Sequence, residues 1–203
     1  MVPYKSLKIV QVCFLAIAFN SCRQNDEGVT INGVKWAACN VDAPGTFAAN
    51  PEDAGMFYQW NRKTAWNATD SVVIDWDDTN PEGDAWEKTN DPCPAGWRLP
   101  TRGDIHKLLD PDKVSDEWTT VNGTNGRKFT DKKTGNSIFL PATGIRGRTI
   151  GVLLDAGSYG FYWSSASGSS AEEACYLNFG SGYAHLYGHD RRYGSAVRCV
   201  ADN

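Results

Sequence analysis

Hydrophobic and polar positions alternate over short stretches along much of the chain, which predicts strands joined by turns. The segment 29–36 alternates in this way and holds Asn32-Gly33, a dipeptide typical of tight turns. Strand patterns separated by Gly and Ser cover 128–130, 137–140, 161–165, 175–179, 183–187 and 196–200. We therefore expect the C-terminal half of the chain to form a sheet.

Two segments of the N-terminal half predict helices. The segment 53–66 begins with Asp53, a residue suited to capping a helix. Its apolar residues at helical spacing are Met56, Phe57 and Trp60. A second helix is expected after Thr101, which can form a capping box with Asp104. Its apolar face is Ile105, Leu108 and Leu109. Helices followed by strands predict an α+β domain, and the acidic, turn-rich segment 70–91 predicts a surface excursion.

The N-terminus predicts export. Lys5 and Lys8 precede the apolar run 9–19, and small or polar residues then lead to Cys22. This order is typical of a signal peptide, and the run is too short to span a bilayer. It resembles a bacterial lipoprotein signal over 1–22, with Cys22 as the acylated residue. The following residues, 23–28, resemble the acidic tether of surface-exposed Bacteroidota lipoproteins, which implies a lipid anchor at the outer membrane.

Composition narrows the function classes. A formal net charge of −4 with no basic stripe argues against a nucleic-acid partner. Four cysteines lie beyond the signal: Cys39, Cys93, Cys175 and Cys199. Their spacing does not suit a zinc site, and an even number in an exported chain predicts two disulfides. Counting alone leaves all three possible pairings open.

Six short motifs together resemble one domain family. They are Val34-Lys35-Trp36-Ala37, Gly55-Met56-Phe57-Tyr58-Gln59-Trp60, Cys93-Pro94-Ala95-Gly96-Trp97-Arg98-Leu99-Pro100-Thr101, Leu140-Pro141-Ala142, Tyr162-Trp163-Ser164-Ser165 and Val197-Arg198-Cys199-Val200. In this order they resemble the Fibrobacter succinogenes major paralogous domain. The resemblance implies a C-type-lectin-like fold over 29–203, with two helices packed on a twisted antiparallel sheet. It also implies a Cys93–Cys199 disulfide, which leaves Cys39 and Cys175 for each other.

A second resemblance concerns the C-terminal segment of about 158–198. Tyr162-Trp163-Ser164-Ser165, Leu177-Asn178-Phe179 and Val197-Arg198 are similar in order to the variable region of diversity-generating retroelement target proteins. In that system AAC codons become any codon ending in C, which excludes Lys, Glu, Gln, Met and Trp. These five types fill 30 of 203 positions, yet none occurs from Ala174 to Asn203, as diversification would require.

The same segment has the composition of a binding surface. Six of eight Tyr lie between Tyr159 and Tyr193, interleaved with Ser and Gly, as in antibody binding loops. Tyr183, His185, Tyr187 and His189 lie two apart, so a strand would present all four on one face. Ala184, Leu186 and Gly188 would then face the core. The predicted ligand-binding residues are Tyr176, Ser181, Tyr183, His185, Tyr187, His189, Asp190 and Tyr193.

The sequence thus predicts a surface-displayed receptor or adhesin that binds a protein or glycan ligand and has no catalytic residues, cofactor or metal. The loops that bind calcium and sugar in C-type lectins, Glu-Pro-Asn or Gln-Pro-Asp with Trp-Asn-Asp, do not occur. Two alternatives stay open. One is a structural or adhesive module that is not diversified, and the other is an enzyme of the formylglycine-generating type.

Overall fold

Strands dominate the computed structural model, which describes residues 27–202. Within this range 39% of the residues lie in strands and bridges, and only 6% are helical. The strands are β1 Val29–Ile31, β2 Val34–Trp36, β3 Phe57–Gln59, β4 Ala65–Trp66, β5 Trp97–Arg98, β6 Val114–Val121, β7 Thr124–Asp131, β8 Ser137–Pro141, β9 Ile145–Arg146, β10 Leu153–Leu154, β11 Gly160–Ser167, β12 Glu173–Phe179, β13 Ala184–Asp190, β14 Gly194–Ser195 and β15 Val200–Ala201. The helix α1 is Arg102–Leu108, and Lys88–Asn90 forms one 3₁₀ turn.

The expected α+β fold with two helices on a sheet, implied by the C-type-lectin-like resemblance, is wrong. In the described residues α1 is the one α-helix, and the segment 53–66 forms β3 and β4 instead of a helix. A surface helix would have one buried and one exposed face. Phe57, Tyr58 and Gln59 are instead all fully buried, so the helical spacing of apolar residues was misleading here. Asn61 has a φ of 55°, a left-handed conformation that ends a helical path.

The helix α1 confirms its predicted start. The Thr101 hydroxyl accepts a hydrogen bond from the Asp104 main chain, and the Asp104 carboxylate accepts one from the Thr101 main chain, which completes the capping box. Ile105 and Leu108 are buried against the core. A short amphipathic helix therefore forms where a capping box precedes apolar residues at helical spacing.

Within residues 27–202 the strands form four antiparallel sheets. Their orders are β1-β2-β15-β5, β10-β9-β14-β3-β4, β11-β12-β13 and β6-β7-β8. Asn32-Gly33 turns the chain between β1 and β2 with positive φ at both residues, as predicted for a hairpin dipeptide. Asn122-Gly123 makes the same kind of turn between β6 and β7.

The sheet β11-β12-β13 lies between two apolar clusters. The first cluster contains Tyr162, Leu177 and Phe179 and includes residues of α1, β2, β7 and β8. The second contains Trp163 and Tyr176 and includes Tyr58 and Trp60. Since neighbouring residues of a strand point to opposite faces, β11 and β12 contribute alternately to the two clusters. The central strand β12 is consequently buried on both faces.

One of the two implied disulfides is present. Cys93 and Cys199 are bonded across 106 residues of sequence, a closure that contributes about 4–5 kcal/mol in the chain-entropy model. Cys175 is a buried free thiol whose pKa is raised by burial. The expected Cys39–Cys175 bridge is therefore wrong.

Buried arginines hold the irregular segments in place. The Arg146 guanidinium donates hydrogen bonds to the carbonyl oxygens of Asn67, Asp70 and Gly151. Arg191 donates in the same way to Pro81 and Gly83. Both side chains are almost fully buried, so each guanidinium supplies hydrogen-bond donors to several carbonyl groups that would otherwise lack partners. The excursion expected over 70–91 is thereby attached to the sheets.

The predicted signal peptide, Cys22 and most of the tether lie outside the described residues. Within residues 27–202, no helix is long and apolar enough to cross a membrane.

Candidate functional site

The edge strand β13 displays three of the predicted residues, His185, Tyr187 and His189, on one face. Its neighbour β12 pairs with it in a regular antiparallel register, in which Tyr176 lies opposite Tyr187 and Asn178 lies opposite His185. Ala184 and Leu186 are half-buried against the first cluster, as expected. Gly188 is exposed and does not reach the core, which corrects the expectation for that residue. The alternation of β13 still directs the Tyr and His side chains away from the core.

Eight rings form a continuous surface, which we call the aromatic face. They are Tyr159, Phe161, Tyr176, Tyr183, His185, Tyr187, His189 and Tyr193. Tyr183 stacks on His185 with 5.7 Å between ring centroids, and Tyr187 lies 5.9 Å from His185. The closest contact is the stack of His189 on Tyr193, at 4.2 Å. Each ring contacts at least one other, so the six predicted aromatic and histidine residues come together in space.

Exposure along the aromatic face is graded. Tyr187 is 48% exposed and His185 is also exposed, whereas Tyr176 is 8% exposed at the inner end of the face. Tyr183 is half-buried, and its hydroxyl donates a hydrogen bond to Asn178 Oδ1 at 2.9 Å. His189 is half-buried as well. Tyr187 and His185 are therefore the most accessible large side chains of β13.

Two rings of the aromatic face were not predicted. Tyr159 is 37% exposed and lies 6.3 Å from Tyr183, and Phe161 stacks on Tyr176 at 5.9 Å. Both belong to a series of aromatic residues two apart that ends at the buried Trp163. This period of two across the start of β11 was the available sequence signal.

The polar end of the site is an ion-pair cluster. Asp190 accepts hydrogen bonds from Arg148 at 3.1 Å and from Arg192 at 2.5 Å. Burial by itself would raise the Asp190 pKa, but the hydrogen bonds from Arg192 and Arg148 outweigh it and lower the pKa to about 2. Ser181 is exposed in the turn at the opposite end of β13. The predicted Ser181 and Asp190 therefore bracket the strand.

The aromatic face offers hydrogen-bonding groups more than charge. Burial, with smaller contributions from Tyr183 and Tyr187, raises the pKa of Tyr176 to about 12. Burial likewise raises the pKa of Tyr183 and lowers that of His189. At neutral pH these three rings are uncharged. Among residues 27–202 no group of three or more His, Cys, Asp or Glu side chains could hold a metal ion.

A groove of about 480 Å³ runs beside β13. It lies between the strand and α1, and its lining residues are His106, Leu109, Ala184, His185, Leu186 and Tyr187. A second cleft, of about 500 Å³, lies beside the disulfide and is lined in part by Trp86, Trp97 and Asp91. There the Asp91 carboxylate already accepts the main-chain N–H groups of Cys93 and Leu99. Of these two, the groove beside β13 is the one that adjoins the aromatic face, since His185 and Tyr187 line it.

Comparison with known proteins identifies one similarity. Residues 113–200 match the family described as Domain of unknown function (DUF8237). The matched part runs from β6 through β14 and so includes the aromatic face, but its description names no activity. No curated protein and no solved structure matches the chain.

Proposed function

We propose that this protein is a surface-displayed receptor or adhesin that binds a protein or glycan ligand through the aromatic face. The main support for the proposal is that the exposed residues of this segment include the residue types that binding surfaces favour. Between residues 174 and 200, the exposed side chains all fall within 181–188, and His185 and Tyr187 are the large ones among them. Rigid amphipathic rings surrounded by Ser and Gly give a broad contact surface at low entropic cost.

We propose further that a retroelement diversifies this surface. The stretch without Lys, Glu, Gln, Met or Trp contains all of β13 and the turn before it. A mutagenic system is useful only if its product still folds, so variable positions should have side chains outside the core. Ser181, His185 and Tyr187 meet this condition, since all three are exposed.

The genome and the population of gene copies provide the test. The proposal predicts a reverse transcriptase gene and a near-identical template repeat beside the gene. Deep sequencing of its 3′ end should find substitutions at the codons for Ser181, Tyr183, His185, Tyr187, His189 and Tyr193. The codons for Trp163 and Leu177, which are buried, should stay constant. Uniform variation, or variation at the buried codons, would contradict diversification.

We propose that a lipid on Cys22 holds the binding domain at the outer membrane. The basic, apolar and Cys22 order of the N-terminus supports this location. Cys22→Ala should abolish labelling by a fatty-acid analogue and move the protein from the membrane fraction to the soluble one. Unchanged labelling and membrane retention would refute the anchor without affecting the binding proposal.

A further inference from the structure

The outer edge of β13 carries main-chain groups without partners in the described residues. In the ladder to β12, Gly180 N donates to Tyr183 O, and Arg191 N donates to Glu172 O. An antiparallel ladder repeats every two residues, so His185, Tyr187 and His189 direct their main-chain groups toward β12. Ala184, Leu186 and Gly188 direct theirs to the open edge. No hydrogen bond within residues 27–202 engages those groups.

The open edge faces the groove beside β13. Leu109, which follows the last residue of α1, lies across the groove, and Leu186 and Ala184 contribute apolar surface from the strand. The groove therefore combines a row of free main-chain donors and acceptors with apolar side chains alongside. Its volume of about 480 Å³ lies within the range of ligand sites.

This edge lacks the features that protect other exposed edges. The edge strand β6 carries Asp116 and Glu117 in succession, and charges of this kind discourage a further strand. Residues 184–189 contain no Pro, Lys, Arg, Asp or Glu, and the one charged residue of β13, Asp190, lies at its last position and is paired with Arg148 and Arg192. The strand β13 is seven residues long and pairs with β12 at every one of them, without a bulge. An unprotected regular edge is suited to strand addition.

We infer that an extended peptide segment of a partner protein adds to β13 as a fourth strand of the sheet β11-β12-β13. This inference rests on the proposed binding function and specifies its ligand class. Donors and acceptors repeated every two residues complement a peptide main chain, whereas the hydroxyl groups of a glycan have no such period. Alternate side chains of the segment pack against Leu109 and Leu186, and the others contact Tyr187 and His185.

Strand addition also explains how one scaffold accommodates different faces. The main-chain hydrogen bonds at Ala184, Leu186 and Gly188 do not depend on side-chain identity, so they persist when neighbouring residues change. The side chains at His185 and Tyr187 then determine which peptide sequence is preferred. Affinity and specificity therefore come from different atoms of the same strand.

Gly188 allows a matched test, because its main-chain N–H points to the open edge. Gly188→Pro removes that N–H, while Gly188→Ala adds a Cβ and keeps it. In both variants the Cβ meets the flexible Glu173 carboxylate at 3.3 Å. Peptides selected on the parent protein from a phage-displayed library of random linear nonapeptides are the probe. Gly188→Pro should weaken their binding about tenfold, and Gly188→Ala should change it less than about threefold.

N-methylation of the selected peptides gives a second readout that does not depend on the folding of a variant. Removing single N–H groups along the peptide should weaken binding at every second residue only, because a strand pairs through alternate residues. Equal melting temperatures of the two Gly188 variants would show that both remain folded. Loss of binding without the two-residue period, or equal binding by both folded variants, would overturn strand addition.

A glycan array and sedimentation of the protein alone separate the remaining outcomes. Glycan ligands that depend on Tyr187 and His185, with no linear peptide selected, would overturn strand addition and leave the binding face intact. Dimers that Gly188→Pro dissociates, again without a selected peptide, would assign the edge to a second copy and also overturn the inference. If neither the peptide library nor the glycan array yields a ligand, that result would count against the proposed function itself.

Discussion

The strands β12 and β13 are neighbours of equal length, yet they differ in almost every physical respect. Both have seven residues, and apart from Glu173 both lie in the stretch without Lys, Glu, Gln, Met or Trp. From Ala174 to Phe179 every residue of β12 is less than 9% exposed. No residue of β13 is buried to that extent. Composition therefore limits which residues occur, while position in the sheet decides which of them are exposed.

The difference arises from what lies on each side of the sheet. The central strand β12 contacts the first cluster through Leu177 and the second through Tyr176. The edge strand β13 packs on the first cluster through Ala184 and Leu186, and it meets the second cluster through the ring contacts of Tyr187 and His189 with Tyr176. Its other face continues past Tyr176 into solvent, where Tyr187 and His185 lie. A sheet that extends beyond one of its two clusters thus produces an exposed aromatic face without a separate domain.

The largest expected effect compares one leucine from each strand. Leu177→Ala should lower the free energy of unfolding by about 2–5 kcal/mol, because the residue is 1% exposed and its loss leaves a cavity. Leu186→Ala should cost about 1–2 kcal/mol, since Leu186 is only half-buried against the same cluster. Urea denaturation of both variants measures the difference. Equal losses would mean that β13 is as much a core strand as β12.

A smaller effect separates the adjacent Arg191 and Arg192, which follow β13. Arg191 donates to three main-chain carbonyls and lies 4.2 Å over the Trp60 ring, whereas Arg192 pairs with Asp190 at the surface. Arg191→Lys should cost about 1–3 kcal/mol, because an ammonium group cannot reproduce the planar donor set. Arg192→Lys should stay within about 1 kcal/mol. Thermal melting of both variants measures the difference, and equal melting temperatures would contradict it.

The contrast also explains what could be predicted from the sequence. The face of β13 followed from a period of two, and the start of α1 followed from the Thr101 cap, because both depend on residues close together in the chain. The strands at 57–59 and 65–66 were missed, since Phe57 to Gln59 are buried on both faces and show no period. Asn122-Gly123 is also a hairpin dipeptide, and it marks the turn between β6 and β7.

Features that depend on distant residues could not be predicted from local patterns. Nothing near Arg146 or Arg191 indicates that each guanidinium meets carbonyls far away in sequence. The Cys93–Cys199 bridge followed from family resemblance, but the Cys39–Cys175 bridge assigned to the remaining cysteines was wrong. The groove between α1 and β13 likewise exists only because the fold brings Leu109 beside Leu186.

The third prediction concerns the exposed members of the aromatic face. His185→Ala combined with Tyr187→Ala should change stability by no more than about 0.5 kcal/mol per residue, because both side chains are exposed. Binding to a ligand selected on the parent protein should fall at least tenfold, since Tyr is a frequent hot spot. Tyr183 and His189 are left in place because they are half-buried and one of them is hydrogen-bonded. Unfolding of the double variant would show that β13 needs these rings for stability.

The smallest expected effect is a dependence of stability on pH at the outer end of β13. His189 is half-buried between Tyr176 and Tyr193, and burial lowers its pKa below the ordinary value of about 6.5, despite the opposing influence of Asp190 and Glu173. In the unfolded chain the residue takes up a proton more readily than in the folded one. Its contribution to stability is therefore complete above pH 6.5 and is lost as the pH falls through 6.5 toward the lowered folded value.

A comparison with His189→Asn isolates this contribution, because the variant has no group that titrates there. The melting temperature of the parent protein relative to His189→Asn should be highest near pH 7.5 and should decline by pH 5. His185→Asn is the matched control, since His185 lies on the same face but is exposed. The melting temperature of His185→Asn, relative to His189→Asn, should decline from pH 7.5 to pH 5 as that of the parent protein does. A difference that stays constant from pH 7.5 to 5 would mean that His189 is hydrated in the folded state. His189, near the end of β13, would then be as accessible to water as His185.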